Sequence, residues 1–327
     1  MNNSSLVSIG LPSFNRAQDL KHAIESVLTQ SYTNLEIIIS DNASTDDTQQ
    51  LCEEFAAQDK RIRYIRQAVN RGPAANFATV LDGARGEFFM WLGDDDWIDQ
   101  DYVRECVGVL TANADFQLAC GCARYYRGGS FLFEEEPINL LQDDAAERVL
   151  GYFRQVNTNG MFYGVTRRSV LATLEMPNGI GGDWLAIGQL AFIGKSRTLE
   201  SVHVNRSLGG ASQQDVRTVM VSTYGLPAAF ARMPFVIVAW KVFADLAWKS
   251  HIYKPLKRGK RLSLATKSAK SIIRRFKLFG RLEKIIEIPK KMGKFIAGLF
   301  ARLQTKLILR TRIKRSVRKA GPSRPGK

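Results

Sequence analysis

The sequence predicts an α/β fold on a mostly parallel, Rossmann-like sheet, followed by a basic, all-helical C-terminal region. Three observations carry this. Short apolar runs rich in Ile and Val, LVSIGL and LEIIIS among them, have the pattern of strands buried on both faces of a parallel sheet. These runs alternate with segments of helical spacing, as strands joined by crossover helices do. The charge is also divided. Residues 211–327 hold 29 basic against 4 acidic residues, a net +25, whereas residues 1–210 hold 18 against 27, a net −9. A split of this size points to two tasks on one chain, an acidic globular body and a basic surface that seeks anions.

In chain order, RAQDLKHAIESVLTQ places Leu20, Ala23, Ile24, Val27 and Leu28 on one helical face between the first two strands. DNASTDDTQQLCEEFAAQ opens with capping residues and continues as a helix, RIRYIR reads as a strand, PAANFATVLDGA as a helix begun at Pro73, and EFFMWL as a strand. After Asp99, DYVRECVGVL is helical, FQLACGCARYY strand-like, and FEEEPINLLQDD a loop leading into another helix. GMFYGVTR alternates like a strand, and DWLAIGQLAFIG is an apolar helix begun at Asp183. Beyond residue 211 only helical patterns follow, without an internal repeat.

Several classes are excluded. The N-terminal MNNSSLVSIGL has neither a basic start nor a long apolar run, so no signal peptide is expected and the body should be cytosolic. Cys52, Cys106, Cys120 and Cys122 are too few and scattered for a disulfide framework and read as buried thiols. The best candidate for a membrane span, MPFVIVAWKVFADLAW, is broken by Lys241 and Asp245 and falls short of the roughly 20 apolar residues required.

Four polar features fall where the first four strands end: PSFNR (Pro12 to Arg16), Asp41 with Asn42, NRGP (Asn70 to Pro73), and GDDD (Gly93 to Asp96). In a parallel sheet these ends share one rim, so distant residues converge on a single crevice. Three consecutive carboxylates repel one another unless positive charge lies among them, and a divalent cation is the first candidate. As an ordered set, VSIGLPSFNR, LEIIISDNASTDDT, NRGPAANF, ARGEFFMWLGDDDW and GGDWLAIGQLAFIGK resemble the family 2 glycosyltransferases, whose fold is called GT-A, over roughly residues 5 to 205.

The resemblance implies an inverting enzyme with a sugar-nucleotide donor, a divalent metal (Mn²⁺ or Mg²⁺) and an aspartate base. It divides residues 1–210 into a nucleotide-binding half, about 1–99, and an acceptor half, about 100–210. By the family's pattern, Asp95 matches the metal-coordinating carboxylate, Asp94 the neighbour that approaches the ribose or a metal-bound water, and Asp96 a third group of the metal site. Gly93 departs from the commoner acid there; the competing reading of the run is a solvated, helix-capping turn. Asp41 matches the group that hydrogen-bonds the base ring, which suits uracil or thymine; its alternative is an Asx-turn or cap near Ser44. Pro12, Phe14 and Asn15 would floor the base and ribose beside Arg16. Asn70, Gly72 and Asn76 would shape the loop beside ribose and metal, unless Asn76 faces solvent. Asp183 is the candidate general base, or else the cap of its helix. Trp184 could stack on an acceptor sugar or lie in the core. His203 and Arg206, on a loop after the last strand-like segment, would meet the diphosphate through Arg206.

The rear contains MGKFIAGLFARLQTKL, in which apolar residues from Met292 to Leu307 recur every three or four positions with Lys294, Arg302 and Lys306 on the other side. SIIRRFKLFGRLEKIIEI is similar. These suit an anionic membrane surface; packing on the body or on a second subunit is the other reading, and no nucleic-acid reader motif is present. The final RIKRSVRKAGPSRPGK reads as a disordered tail. The expected function is sugar transfer from a UDP- or dTDP-sugar to a glycan or lipid-linked acceptor, at the inner face of a membrane. The family's QxxRW signature and spans are missing, which favours single-sugar addition. A nucleotidyltransferase, or a non-catalytic basic protein that binds membrane or nucleic acid, is the alternative; PSFNR is not the glycine-rich loop of the former.

Overall fold

A computed structural model describes residues 5–176, 179–208, 221 and 234–276. Its first part is the repeating unit the apolar runs predict: β1 (Val7–Ser13), α1 (Ala17–Leu28), β2 (Leu35–Asp41), α2 (Thr48–Gln58), β3 (Ile62–Arg66), α3 (Pro73–Asp82) and β4 (Phe88–Trp91). Strands β3, β2, β1 and β4 are neighbours in that order, each pair parallel. Alternation along each strand feeds two cores. Ile37, Ile39, Phe88 and Met90 meet Leu20, Ala23, Ile24 and Val27 of α1 on one face. Ile38, Phe89 and Trp91 meet Val80 of α3 on the other. Each fully buried Leu, Ile or Val contributes roughly 1.5–3 kcal/mol, which is why strands buried on both faces read as unbroken apolar runs.

The second part is mixed: β5 (Trp97–Ile98), α4 (Tyr102–Ala112), β6 (Phe116–Arg127), β7 (Ser130–Glu134), α5 (Ala145–Gln155), β8 (Val165–Arg167), α6 (Arg168–Leu171), α7 (Gly182–Ile193) and β9 (Lys195–Ser207). The nine-stranded sheet continues from β4 through β8, β6 and β9 to β5, with β7 paired to β6. Here β6 and β9 are parallel and the other pairings antiparallel. The two-residue β5 aligns Trp97 with Asn205 and Ile98 with Val204, so the residue before β5 arrives opposite Arg206.

Two local expectations change. The first half of GMFYGVTR is a 3₁₀ turn, Gly160–Tyr163, and only Val165–Arg167 forms a strand. Phe133 and Glu134, read as the start of a loop, belong to β7. The four cysteines are buried free thiols. Among the described residues no helix is long and apolar enough to cross a membrane.

The described residues 234–276 belong to the same compact unit as the body, a unit that runs to Phe276. Helices α8 (Pro234–Ala244) and α9 (Arg258–Arg275) place Val238, Ala239, Val242, Leu264, Ala265 and Ile272 in the same core as α5 and α7. Lys241 Nζ donates to Ile180 O at 2.9 Å, and Arg261 Nε donates to Leu246 O at 2.9 Å. This portion of the rear packs on the body; MGKFIAGLFARLQTKL and the tail lie outside the described residues.

Buried Asp245, in the π-helical turn Asp245–Lys249, accepts a 3.4 Å bond from Gln189, and burial pushes its pKa up to about 6. A carboxyl raised by folding favours the folded state while protonated, and that contribution is lost as pH rises through the folded value. Asp245→Asn is therefore expected to be more stable than the parent at pH 8, with the gap closing towards pH 5. Melting curves at both pH values check this, and a gap independent of pH refutes it.

Candidate active site

The carboxyl ends of β1, β2 and β4 bring three sequence features together. The acidic turn after β4 is held by two guanidinium groups from opposite ends of the domain. Arg16 Nη1, after β1, lies 3.2 Å from Asp94 Oδ1 and 2.8 Å from Asp95 Oδ2. Arg206 Nε, in β9, donates to Asp96 Oδ2 at 3.2 Å, while Ser207 N donates to Asp96 Oδ1 at 3.1 Å. Phe14 N adds a 3.3 Å bond to Asp94 Oδ2. A Cβ on Gly93 would sit 2.7 Å from Asp96 Oδ2. This accounts for glycine where the family pattern has an acid, since the carboxylates fold back over that position.

Burial pushes the Asp94 carboxyl up to about 7 against the pull of Arg16, and it raises Asp96 against the pull of Arg206. The positive charge that such a run requires is thus partly supplied by the chain itself. These residues fit a divalent cation whose ligands are shared between the chain and a bound diphosphate. Among the described residues no group of three or more His, Cys, Asp or Glu surrounds one point, so Asp95 and Asp94 would contribute one or two oxygens. Diphosphate and water would complete the shell, the usual mode for Mg²⁺.

Arg206 is enclosed by aromatic rings. Its guanidinium lies 4.3 Å from the Tyr163 ring centroid and 5.6 Å from that of Tyr125, and Nη2 donates to the Tyr163 hydroxyl at 3.0 Å. Tyr163 ends the 3₁₀ turn that follows Asn159, and Asn159 donates to Asp183, so one short turn links Arg206 and the acidic turn to Asp183. Arg206 and His203 lie within β9 and not on a loop beyond it, and Arg206 is committed to Asp96. Half-exposed Asp99 holds His203 Nδ1 at 2.7 Å and tethers β5 to β9, a structural duty.

Asp183 stands in the first turn of α7, whose N-cap is Gly181 at φ 78°. The N-cap position is thus Gly181's, while the Asp183 carboxylate meets the backbone N–H of Trp184 and its own. Its carboxyl is raised by burial, and Asn159 Nδ2 donates to Oδ2 at 2.8 Å. Trp184 is buried, its ring 6.3 Å from Phe235 and 5.9 Å from Phe276, and belongs to the core.

Asp41 is fully buried at the end of β2. Oδ1 accepts from Ser44 N at 2.7 Å, and Oδ2 accepts from Tyr64 Oη at 2.9 Å and Arg66 Nη1 at 2.5 Å. The turn reading is met, and the face expected to meet a base ring carries Arg66. Pro12 is buried in β1 and does not form a floor; Phe14, 41 % exposed, is the ring at that rim. Asn15 Oδ1 accepts from Thr45 N at 2.7 Å. Asn70 Oδ1 accepts from Asn42 Nδ2 at 2.9 Å and from Gly72 N at 2.8 Å, and Gly72 starts α3 at φ 81°, a value that favours glycine. Asn76 does not face solvent: it is buried, with Nδ2 donating to Ser13 O at 3.0 Å. The residues missed in the sequence, Tyr125, Tyr152, Asn159 and Tyr163, carried only a weak signal, the Asn-Gly turn pair at Asn159.

Removing one member of a buried ion pair strands its partner at a cost of about 3–5 kcal/mol. Arg206→Met is expected to cost that much through Asp96, which is 1 % exposed. Arg206→Met combined with Asp96→Asn should recover part of the loss. Denaturant titration measures both, and strict additivity of the two single changes would refute the pairing.

With this geometry in hand, the comparisons are specific. The model of glycosyl transferase family 2 matches residues 8–174, just over half the chain. Glycosyltransferase GlyA of Streptococcus pneumoniae is 37 % identical over 147 residues, covering 44 % of this chain and 20 % of the relative. The GalNAc(5)-diNAcBac-PP-undecaprenol beta-1,3-glucosyltransferase of Campylobacter jejuni is 42 % identical over 91 residues, covering 28 % and 29 %. The chain thus spans less than a third of the length of either relative. Among solved structures, Staphylococcus aureus TarS 1–349 in complex with UDP-GlcNAc has a TM-score of 0.52 at 16 % identity, covering 79 % of each chain. Mannosyltransferase PcManGT from Pyrobaculum calidifontis, in complex with GDP-Man and Mn²⁺, has 0.51 at 16 %, covering 89 % of this chain and 83 % of that one. Likeness at that identity establishes the fold, GT-A. The chain belongs to glycosyl transferase family 2, whose model it matches over residues 8–174.

Proposed function

We propose that this chain is an inverting, metal-assisted glycosyltransferase that passes a sugar from a UDP- or dTDP-sugar to an acceptor hydroxyl of a lipid-linked or cell-surface glycan. The observation that carries it is the 3₁₀ turn Gly160–Tyr163: Asn159 before it bonds Asp183, and Tyr163 at its end accepts from Arg206, which pairs with Asp96 of the acidic turn. A lipid-linked acceptor finds support in the undecaprenol-linked substrate named for the Campylobacter relative. In inversion by single displacement, the acceptor oxygen bonds to the anomeric carbon while the bond from that carbon to the diphosphate oxygen breaks. Asp183 takes the acceptor's proton, and the nucleoside diphosphate leaves. A divalent cation held by Asp95, with Asp94 beside it, would neutralise charge on the leaving diphosphate. Phe14 gives the base a ring to stack on, and Asp41 becomes an acceptor for a pyrimidine N–H once half-exposed Arg66 swings off Oδ2.

Nucleotide release from a panel of UDP-, dTDP- and GDP-sugars, with and without Mn²⁺, tests this. Asp183→Ala is expected to lower kcat about 10²–10⁴-fold, the usual worth of a general base, and Asp95→Ala to abolish the metal response. Release that is indifferent to chelator and survives loss of Asp95 would refute the reading, and a preference for GDP-sugars would refute the pyrimidine donor.

The peripheral membrane position is part of the same proposal. From Lys249 to Arg275 the chain has 10 Lys and Arg and no Asp or Glu. The outer face of α9 exposes Lys267, Lys270 and Arg274, and the preceding turn exposes Trp248. Each such cation near an anionic leaflet contributes about 1 kcal/mol. Replacing Lys267, Lys270 and Arg274 together by Gln is therefore expected to weaken binding to phosphatidylglycerol vesicles roughly 100-fold. Co-sedimentation measures it, and unchanged binding would refute the assignment for this face.

A further inference from the structure

Asn159 sits where few residues other than glycine do, at φ 61° and ψ 45°, and it is 1 % exposed. A left-handed conformation is unfavourable for a non-glycine residue and persists only where the surroundings over-determine it. They do so here from both sides. Nδ2 donates to Asp183 Oδ2 at 2.8 Å, and Oδ1 accepts from the buried Tyr152 hydroxyl of α5 at 2.8 Å. A carboxylate can only accept, so the amide must turn its NH₂ to Asp183 and its oxygen to Tyr152. Glu135 grips the loop from below: Oε2 accepts from Gly160 N at 2.9 Å and Oε1 from Thr158 N at 3.4 Å. At Gly160 a Cβ would fall 2.4 Å from the Ala123 Cβ, so the chain passes too close to β6 for any side chain.

We propose that Asn159, locked by Tyr152, is the positioning residue for Asp183: its amide fixes Oδ2 and with it the plane in which the carboxylate meets the acceptor hydroxyl. This rests on the reading of Asp183 as the general base. The bond also has a chemical effect, because an N–H donated to a carboxylate favours the ionised form and opposes the upward push of burial on Asp183. The other charged and titratable groups that act on Asp183, or that share Tyr152 or Tyr163 with it, are Arg206 of β9, Asp95 and Asp96 of the acidic turn, Glu135 and Tyr253. Loss of the amide leaves the backbone N–H groups of Trp184 and Asp183 and the charge of Arg206 to favour the ionised form, and raises the pH at which the base is half ionised.

The test is a pH–rate profile of the full-length enzyme for Asn159→Ala, Asn159→Asp, Tyr152→Phe and Asp183→Ala with the preferred donor. Asn159→Ala is expected to lower kcat about 10–100-fold, a misplacement effect, with KM for the donor unchanged and the acidic limb of kcat moved to higher pH. Asn159→Asp should move that limb further, since two adjacent carboxylates cannot both ionise easily. Tyr152→Phe should shift it in the same direction by less, and it provides the readout should Asn159→Ala not fold. In an Asp183→Ala background, Asn159→Ala should change kcat no further. If Asp183→Ala keeps full kcat, the general-base reading itself fails. If Asp183→Ala is inactive while folded Asn159→Ala, or Tyr152→Phe in its place, keeps the parent kcat and pH profile, the positioning role alone is overturned.

Discussion

Three carboxylates in succession can sit at the end of a central strand only because two guanidinium groups reach them from distant parts of the chain. Arg16 bridges Asp94 and Asp95, and Arg206 closes on Asp96. Without them the turn would combine burial with like-charge repulsion, both of which penalise ionised carboxylates. Each arginine is placed by topology. Arg16 follows β1, which lies beside β4, so the two strands deliver their polar ends side by side. Arg206 stands in β9, and β5, whose two residues align with Asn205 and Val204, brings Asp96 up to its guanidinium. A two-residue strand contributes little stability of its own; its effect is registration. Gly93 completes the arrangement by leaving room for the carboxylate that folds back over it.

Much of the first half was legible in the sequence, because a parallel sheet covered on both faces allows hardly any polar residue within its strands. LVSIGL, LEIIIS and EFFMWL have no other comfortable location, and α1 follows from its apolar spacing. The second half was less legible for the same reason. Its pairings are mixed and its segments short, so GMFYGVTR alternated like a strand although its first half winds into a turn governed by Asn159 and Glu135. Nothing local distinguishes the two; the deciding contacts come from α5, β6 and α7. Likewise, the helices after residue 234 were read by their charge, whereas their inner faces are apolar enough to join the core around α5 and α7.

The candidate site divides along similar lines. Sequence position could bring Asp41, Asn70, the acidic turn and Asp183 to one rim, since each sits at a strand or helix end. It could not apportion their bonds. Asp41 spends both oxygens on Ser44, Tyr64 and Arg66, and Asn76 turns inward to Ser13. The N-cap position before Asp183 falls to Gly181, with its left-handed backbone. In each case the outcome depends on a partner more than 20 residues away or on one backbone angle, neither of which spacing encodes.

The two arginines also bear on how a cation would be used here. A site built wholly of carboxylates needs a metal to stay together, whereas this turn is already near charge balance, two guanidinium groups against three carboxylates of which Asp94 and Asp96 are shifted towards neutrality. A divalent ion entering beside Asp95 with a diphosphate would add two positive charges along with the donor's negative ones, leaving the local sum nearly unchanged. Binding of metal and donor should then be mutually dependent, because either alone unbalances a buried site. On the proposed reading, the protein's contribution would be a turn whose charge is poised for the pair and not for the ion alone.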